Sequence, residues 1–154
     1  MSSRVPATVW IGIAVLIAAV GAGCDQGSAV REAPGRAPLV SDLAVQPDSV
    51  NAADVPDARV QDSLARIGLR IQVHVADPDG EVERVPFTIE PASSPRGTAS
   101  GTLQRQNDSL YAREVGLRVP VFLTEVYTVR VFAVDDDSLA SNQGVGQFQF
   151  VARP

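Results

Sequence analysis

Nine residues, Ile67-Gly-Leu-Arg-Ile-Gln-Val-His-Val75, limit most sharply what this chain can become, because every second one is a branched aliphatic. A period of two sets Ile67, Leu69, Ile71, Val73 and Val75 on one face and Gly68, Arg70, Gln72 and His74 on the other. A helix of 3.6-residue period cannot do this, whereas a strand buried on one face does. The alternation returns at Val85-Pro-Phe-Thr-Ile89, at Val115, Leu117 and Val119, at Tyr127, Val129, Val131 and Ala133, and at Phe148 and Phe150. Pro86 removes a backbone donor and implies an edge or a bulge. Turn formers separate the runs: Asp77-Pro-Asp-Gly80, Pro91-Ala-Ser-Ser-Pro-Arg-Gly97, Asn107-Asp-Ser109, Pro120 and Asp135-Asp-Asp-Ser138. The pattern predicts strands over 39–45, 67–75, 83–89, 102–105, 110–119, 126–134 and 146–151. Short strands at this spacing predict an all-β, seven-stranded sandwich over 39–154. The stretch 47–65 is open between a second edge segment and one helical turn over 60–65.

The start of the chain is of another kind. Arg4 precedes the apolar run Ala7-Thr-Val-Trp-Ile-Gly-Ile-Ala-Val-Leu-Ile-Ala-Ala-Val20, which ends in small residues at Cys24 and turns polar at Asp25. That is the order of a helical export signal. Val20-Gly21-Ala22-Gly23-Cys24 resembles the lipobox of bacterial lipoproteins, although Gly21 stands where that family usually has Leu. The resemblance implies a signal peptide over 1–23, cleavage before Cys24, a diacylglycerol on its thiol, and a membrane-anchored protein of the bacterial cell envelope. Ordinary cleavage after Ala22 and an uncleaved membrane helix are the other two readings. Asp25 resembles the residue that retains some lipoproteins in the inner membrane of Gram-negative bacteria. Residues 25–38, DQGSAVREAPGRAP, lack apolar periodicity and read as a flexible spacer of about 20 Å reach.

The run 39–154 resembles the immunoglobulin-like and fibronectin-III-like modules of bacterial envelope lipoproteins. The resemblance is carried by Val73-His-Val-Ala-Asp-Pro-Asp-Gly80, Val85-Pro-Phe-Thr-Ile89 and Val126-Tyr-Thr-Val-Arg-Val-Phe-Ala-Val-Asp135. It implies that Tyr127 forms a tyrosine corner, its hydroxyl bonded to nearby backbone. The part after Cys24 departs from antibody domains in having no Trp and no cysteine pair.

Composition removes several chemistries. Thirteen basic residues, all arginine, against eighteen acids leave a net charge of −5, which argues against a phosphate-binding nucleic-acid surface. A single Cys and a single His exclude an internal disulfide, a thiolate metal site and a multi-histidine site. No Gly-x-Ser-x-Gly surrounds a serine, and Gly144-Val-Gly146 precedes a strand, so neither a nucleophile elbow nor a dinucleotide fingerprint is present. His74 falls on the solvent side of its strand. Arg113, Arg118 and Arg130 read as a solvated sheet face, or as a partner face if Phe122, Leu123 and Phe132 lie near them.

What remains is acidic. In a sandwich of this topology the loops carrying Asp77, Asp79, Asp108, Asp135, Asp136 and Asp137 share one end. Hard cations such as calcium take six to eight oxygen ligands, so a calcium site is one reading of these residues. Turn-initiating aspartates that bond their own backbone are the other. The expectation is a lipid-anchored binding or scaffold module that is not an enzyme, has no nucleic-acid partner, and contacts a protein or a glycan. A calcium-binding domain, or an accessory to an envelope hydrolase or polysaccharide system, is the alternative.

Overall fold

The computed structural model describes residues 35–94 and 99–153. They belong to one unit, Ala33–Pro154. The expected signal segment, Cys24 and the spacer up to residue 34 lie outside the described residues. Among the described residues no helix is long and apolar enough to cross a membrane.

The chain is all-β. In order it forms β1 (Leu39–Gln46), β2 (Ser49–Asn51), β3 (Val60–Gln61), β4 (Leu64–Ala76), β5 (Val82–Pro91), β6 (Ala99–Arg105), β7 (Leu110–Pro120), β8 (Glu125–Val131), β9 (Val134–Asp135) and β10 (Gly144–Val151). Each expected strand is present and most are lengthened by a residue or more, but the one expected over 126–134 ends at Val131 and resumes as β9. Three short strands are added. The helical turn expected over 60–65 is not there: Asp62 and Ser63, with φ of 53° and 63°, make a two-residue reversal that folds β3 onto the start of β4. Single 3-10 turns lie just upstream at Ala52–Asp54 and Asp57–Arg59.

The expectation of seven strands is corrected to ten among the described residues, joined in the order β1-β4-β7-β6-β5-β8-β10-β2, with β3 on β4 and β9 on β5. The added strands are the short β2, β3 and β9, and one continuous sheet results because β6 is bonded on both edges: Leu103 pairs with Val85 of β5, and Gln104 with Ala112 of β7. The sheet then folds round so that β1 lies against β10, nearly closing it. No ladder joins these two among the described residues. They meet through side chains: a Cβ on Gly144 would lie 3.1 Å from Val40 and one on Gly146 3.0 Å from Val45. Gly144-Val-Gly146 therefore serves close approach of two strands.

Inside lie the residues that alternation assigned there. Ile67, Leu69, Ile71, Val73, Val75, Val85, Phe87, Ile89, Leu117, Val119, Tyr127, Val129, Val131, Ala133, Phe148 and Phe150 are all buried in one cluster. Pro86 is not on an edge strand, since β5 runs between β6 and β8. Its missing donor falls opposite the break between β8 and β9, where the β5–β9 register also shifts. There the Phe132 N–H donates to the Pro86 carbonyl at 3.3 Å.

The tyrosine corner is corrected too. Tyr127 is buried with its ring 5.7 Å from that of Phe148, and among the described residues no hydrogen bond of its hydroxyl is found. Burial, and secondarily the Glu125 carboxylate, push its pKa above the ordinary 10.0. Glu125 is itself buried and is held by the Ser93 N–H and hydroxyl.

Candidate functional site

The expected aspartate site comes apart into separate turn contacts. Asp77 Oδ1 accepts the N–H groups of Asp79 and Gly80 at 3.3 and 3.1 Å, the local bond that makes Asp a turn former. Asp79 accepts the Arg36 N–H on both oxygens, at 3.1 and 2.9 Å. Asp135 is only 2% exposed, and its Oδ1 accepts the Leu139 N–H at 2.7 Å. Asp136 Oδ1 accepts the Glu81 N–H at 3.2 Å, and an Asp137 oxygen borders Gly35. Asp108 lies on the β6–β7 turn, where its carbonyl accepts from the Arg105 guanidinium at 3.2 Å.

The nearest to a convergence is one pair. Among the described residues Asp77 Oδ2 is buried with no hydrogen-bond partner, and it shares the space over Gly80 with Asp136 Oδ1: a Cβ there would lie 3.3 and 2.8 Å from the two. Among the described residues no three of His, Cys, Asp and Glu are grouped to hold a metal ion.

The arginines are also rearranged. Arg130 stands on β8, beside Glu90 at 3.7 Å and Gln143 at 3.2 Å. Arg113 is opposite Ile71, on the register of the inward face. It is nevertheless exposed, because it reaches over Gly101 and donates to the Thr102 carbonyl at 3.1 Å, covering the seam between β6 and β7. Arg118 is on the outer face of β7. The three therefore do not form one face. Phe122, 72% exposed, and Leu123 lie on the turn between β7 and β8, and Phe132 is half-buried. His74 is exposed as expected, its Nδ1 3.2 Å from the Ser109 hydroxyl.

A groove that sequence reading did not single out lies over the outer face of β4 and β7. Its volume is about 650 Å³, and its walls and floor include Arg59, Asp62, Arg66, Gly68, Gly116 and Arg118. Its construction follows from register. On one edge of β4, β3 covers Leu64 and Ala65 and β1 covers Arg70 to Ala76. Arg66 to Leu69 have no ladder partner on that edge among the described residues. On the other edge β7 pairs without a break, setting Arg66 opposite Arg118 and Gly68 opposite Gly116. A Cβ on either glycine would meet nothing within 4 Å, so the space above them is open. Arg59, Arg66 and Arg118 carry no ion pair or side-chain hydrogen bond among the described residues. Alternation shows Gly68 and Arg66 facing outward. The pairing of each with its own kind on β7 is a register fact and could be found only in three dimensions.

No family model matches the chain, and no curated protein matches it. Among solved structures, an engineered protein at 1.98 Å is similar over 79% of this chain and 21% of its own, at 15% identity and a TM-score of 0.43. The Pseudomonas fluorescens alkylpurine DNA glycosylase AlkC, bound to DNA containing an abasic site analog, is similar over 75% of this chain and 30% of its own, at 17% identity and a TM-score of 0.42. The chain thus spans less than a third of the length of either. The second of these is an enzyme, and the expectation that the chain is not an enzyme is withdrawn. At such low TM-scores neither neighbour carries its activity or its ligand to this chain.

Proposed function

We propose that this is a lipid-anchored binding protein of the bacterial cell envelope: an immunoglobulin-like β-sandwich, tethered through an acylated Cys24, that takes a glycan in the groove on β4 and β7. The groove is the observation that carries the binding reading. Ligand sites are concave, of about 300–1,000 Å³, with a few placed polar groups, and this one has that size, open space over Gly68 and Gly116, and three arginines without a side-chain partner among the described residues. The sandwich reading is supported by the division of ladders. β1, β4 and β7 are bonded to one another, and β5, β8 and β10 to one another, which is how the main strands of immunoglobulin-like and fibronectin-III-like modules divide. β2, β3 and β9 are then additions at the rims.

The tether is supported by the apolar run, the small residues and the cysteine that follows them. An acyl chain contributes about 0.8 kcal/mol per buried methylene, and stable anchoring takes more than one chain. After cleavage the remaining 131 residues carry twelve arginines and eighteen acids. An anionic leaflet repels such a body, so the lipid has to hold it.

Intact mass of the protein extracted from membranes tests the tether: a chain starting at Cys24 with acyl mass supports it, and an unmodified Cys24 in a chain starting at Met1 refutes it. Co-sedimentation of the full chain with purified envelope polysaccharide tests the groove. Gly68→Thr with Gly116→Thr, which fills the floor, is expected to abolish it, and undiminished co-sedimentation refutes the groove as the site. The exposed Phe122 and Leu123 favour a second reading, a protein docked at the β7–β8 turn, for which Phe122→Ser is the corresponding test.

A further inference from the structure

Resting on the groove being the binding site, we infer that the part of the glycan held there is a sugar ring bearing an oxyanion, a carboxylate or a phosphate. Arg66 and Arg118 are direct cross-strand partners on one face. Side chains so placed have Cβ atoms about 4.5–5.5 Å apart, and like charges there repel. Among the described residues nothing neutralises them: the one acid lining the groove, Asp62, is in no ion pair, and neither is Arg59 on the facing wall. This is a local concentration of positive charge on a chain whose net charge is −5. Two guanidinium groups lining one groove suit the bidentate geometry of carboxylate and phosphate, and a bound oxyanion would turn their repulsion into attraction.

The floor fixes the rest of the ligand. Glycine inside a strand marks a bulge, a tight bend or a close approach by something else. The β4–β7 register runs from Leu64 opposite Pro120 to His74 opposite Leu110 with no shift, so Gly68 and Gly116 mark no bulge. The space above both is open, so a flat ring can lie directly on two facing backbones. Size excludes an added strand as the occupant. The open edge of β4 from Arg66 to Leu69 is about 13 Å long at a strand's rise per residue, and β3 and β1 block it at both ends. Single-stranded nucleic acid stacks its bases on aromatic side chains, and none lines the groove.

The test is calorimetric titration of the full chain in neutral-detergent micelles with glucuronate, glucose 6-phosphate, glucose and a short single-stranded oligonucleotide. The expected result is saturable binding of at least one anionic sugar, with glucose at least about tenfold weaker. The stronger of the two anionic sugars identifies the carboxylate or the phosphate as the group held. Arg66→Gln and Arg118→Gln, both exposed and expected to fold, should each weaken that binding about tenfold or more. Four results overturn the assignment: no saturable binding of either anionic sugar up to about 10 mM, glucose bound as tightly as both, wild-type affinity in both arginine variants, or tighter binding of the oligonucleotide. If polysaccharide co-sedimentation survives in the arginine variants but is lost when Gly68 and Gly116 are filled, the groove stands as the site and the oxyanion assignment falls.

Discussion

Filling the groove floor is expected to stabilise the protein, which is unusual for a change at a binding site. Gly68 and Gly116 lie mid-strand at ordinary backbone angles, where glycine costs about 0.5–1 kcal/mol relative to alanine through lost chain entropy. A Cβ at either position meets nothing within 4 Å, so no steric penalty offsets the gain. Threonine adds β-preference, and a facing Thr–Thr pair contributes about 0.2–1 kcal/mol more. For Gly68→Thr with Gly116→Thr the total is about 2 kcal/mol. With a urea m-value of about 1.5–2 kcal/mol/M, this raises the unfolding midpoint by about 1 M at unchanged m. The assay is equilibrium urea unfolding followed by circular dichroism. An unchanged or lowered midpoint would refute the reasoning, because it would mean that the glycines serve the fold of β4 and β7. A raised midpoint with lost ligand binding is the trade of stability against function expected where a site holds residues that the fold alone would not select.

Other consequences follow from the same contacts. Asp77→Asn keeps the turn-forming oxygen, relieves the buried partnerless one beside Asp136, and should stabilise by about 0.5–1 kcal/mol in chelator; a loss of stability, with calcium raising the wild-type melting temperature, would show instead that these carboxylates hold a cation. Tyr127 keeps its proton in the folded state above the ordinary 10.0, so its contribution is complete below pH 10 and is lost as pH rises toward the raised value. Tyr127→Phe should flatten that alkaline loss and cost little at pH 7, and a large cost at pH 7 would reveal a hydroxyl hydrogen bond after all. Phe148→Ala removes a fully buried ring packed on Tyr127 and should cost about 3–5 kcal/mol; thermal unfolding that moves by only a degree or two would place Phe148 outside the core.

The fold was legible where one face is buried and the other wet. Ile67 to Val75 and Tyr127 to Ala133 reveal their inward residues because every second position must avoid water. Legibility fails where other constraints act. β7 breaks alternation at Ala112 and Arg113: Ala112 is buried although it falls on the outward register, and Arg113 is exposed although it falls on the inward one. β3 is two residues long, too short for periodicity, and its hairpin uses Asp62 and Ser63 at positive φ in place of the Asn-Gly signal that marks such a turn. Asp77, Asp79, Asp108, Asp136 and Asp137 lie outside the strands, whereas Asp135 ends β9, and a carboxylate that accepts backbone N–H groups has the same sequence signature as one that holds a cation. The groove was invisible for a different reason. It depends on which residue faces which across β4 and β7, and on β1 and β3 stopping short of each other along one edge, and neither is encoded in any single stretch of chain.

Mapping a ligand onto the outer face of β4 and β7 tests the central claim most directly. In a titration of the isotope-labelled full chain with glucuronate or glucose 6-phosphate, followed by amide and arginine Nε resonances, saturable shifts are expected at Arg66, Gly68, Gly116 and Arg118, with residues 77–80 and 135–137 unmoved. Shifts confined to the aspartate turns, or none at any residue lining the groove, would contradict it.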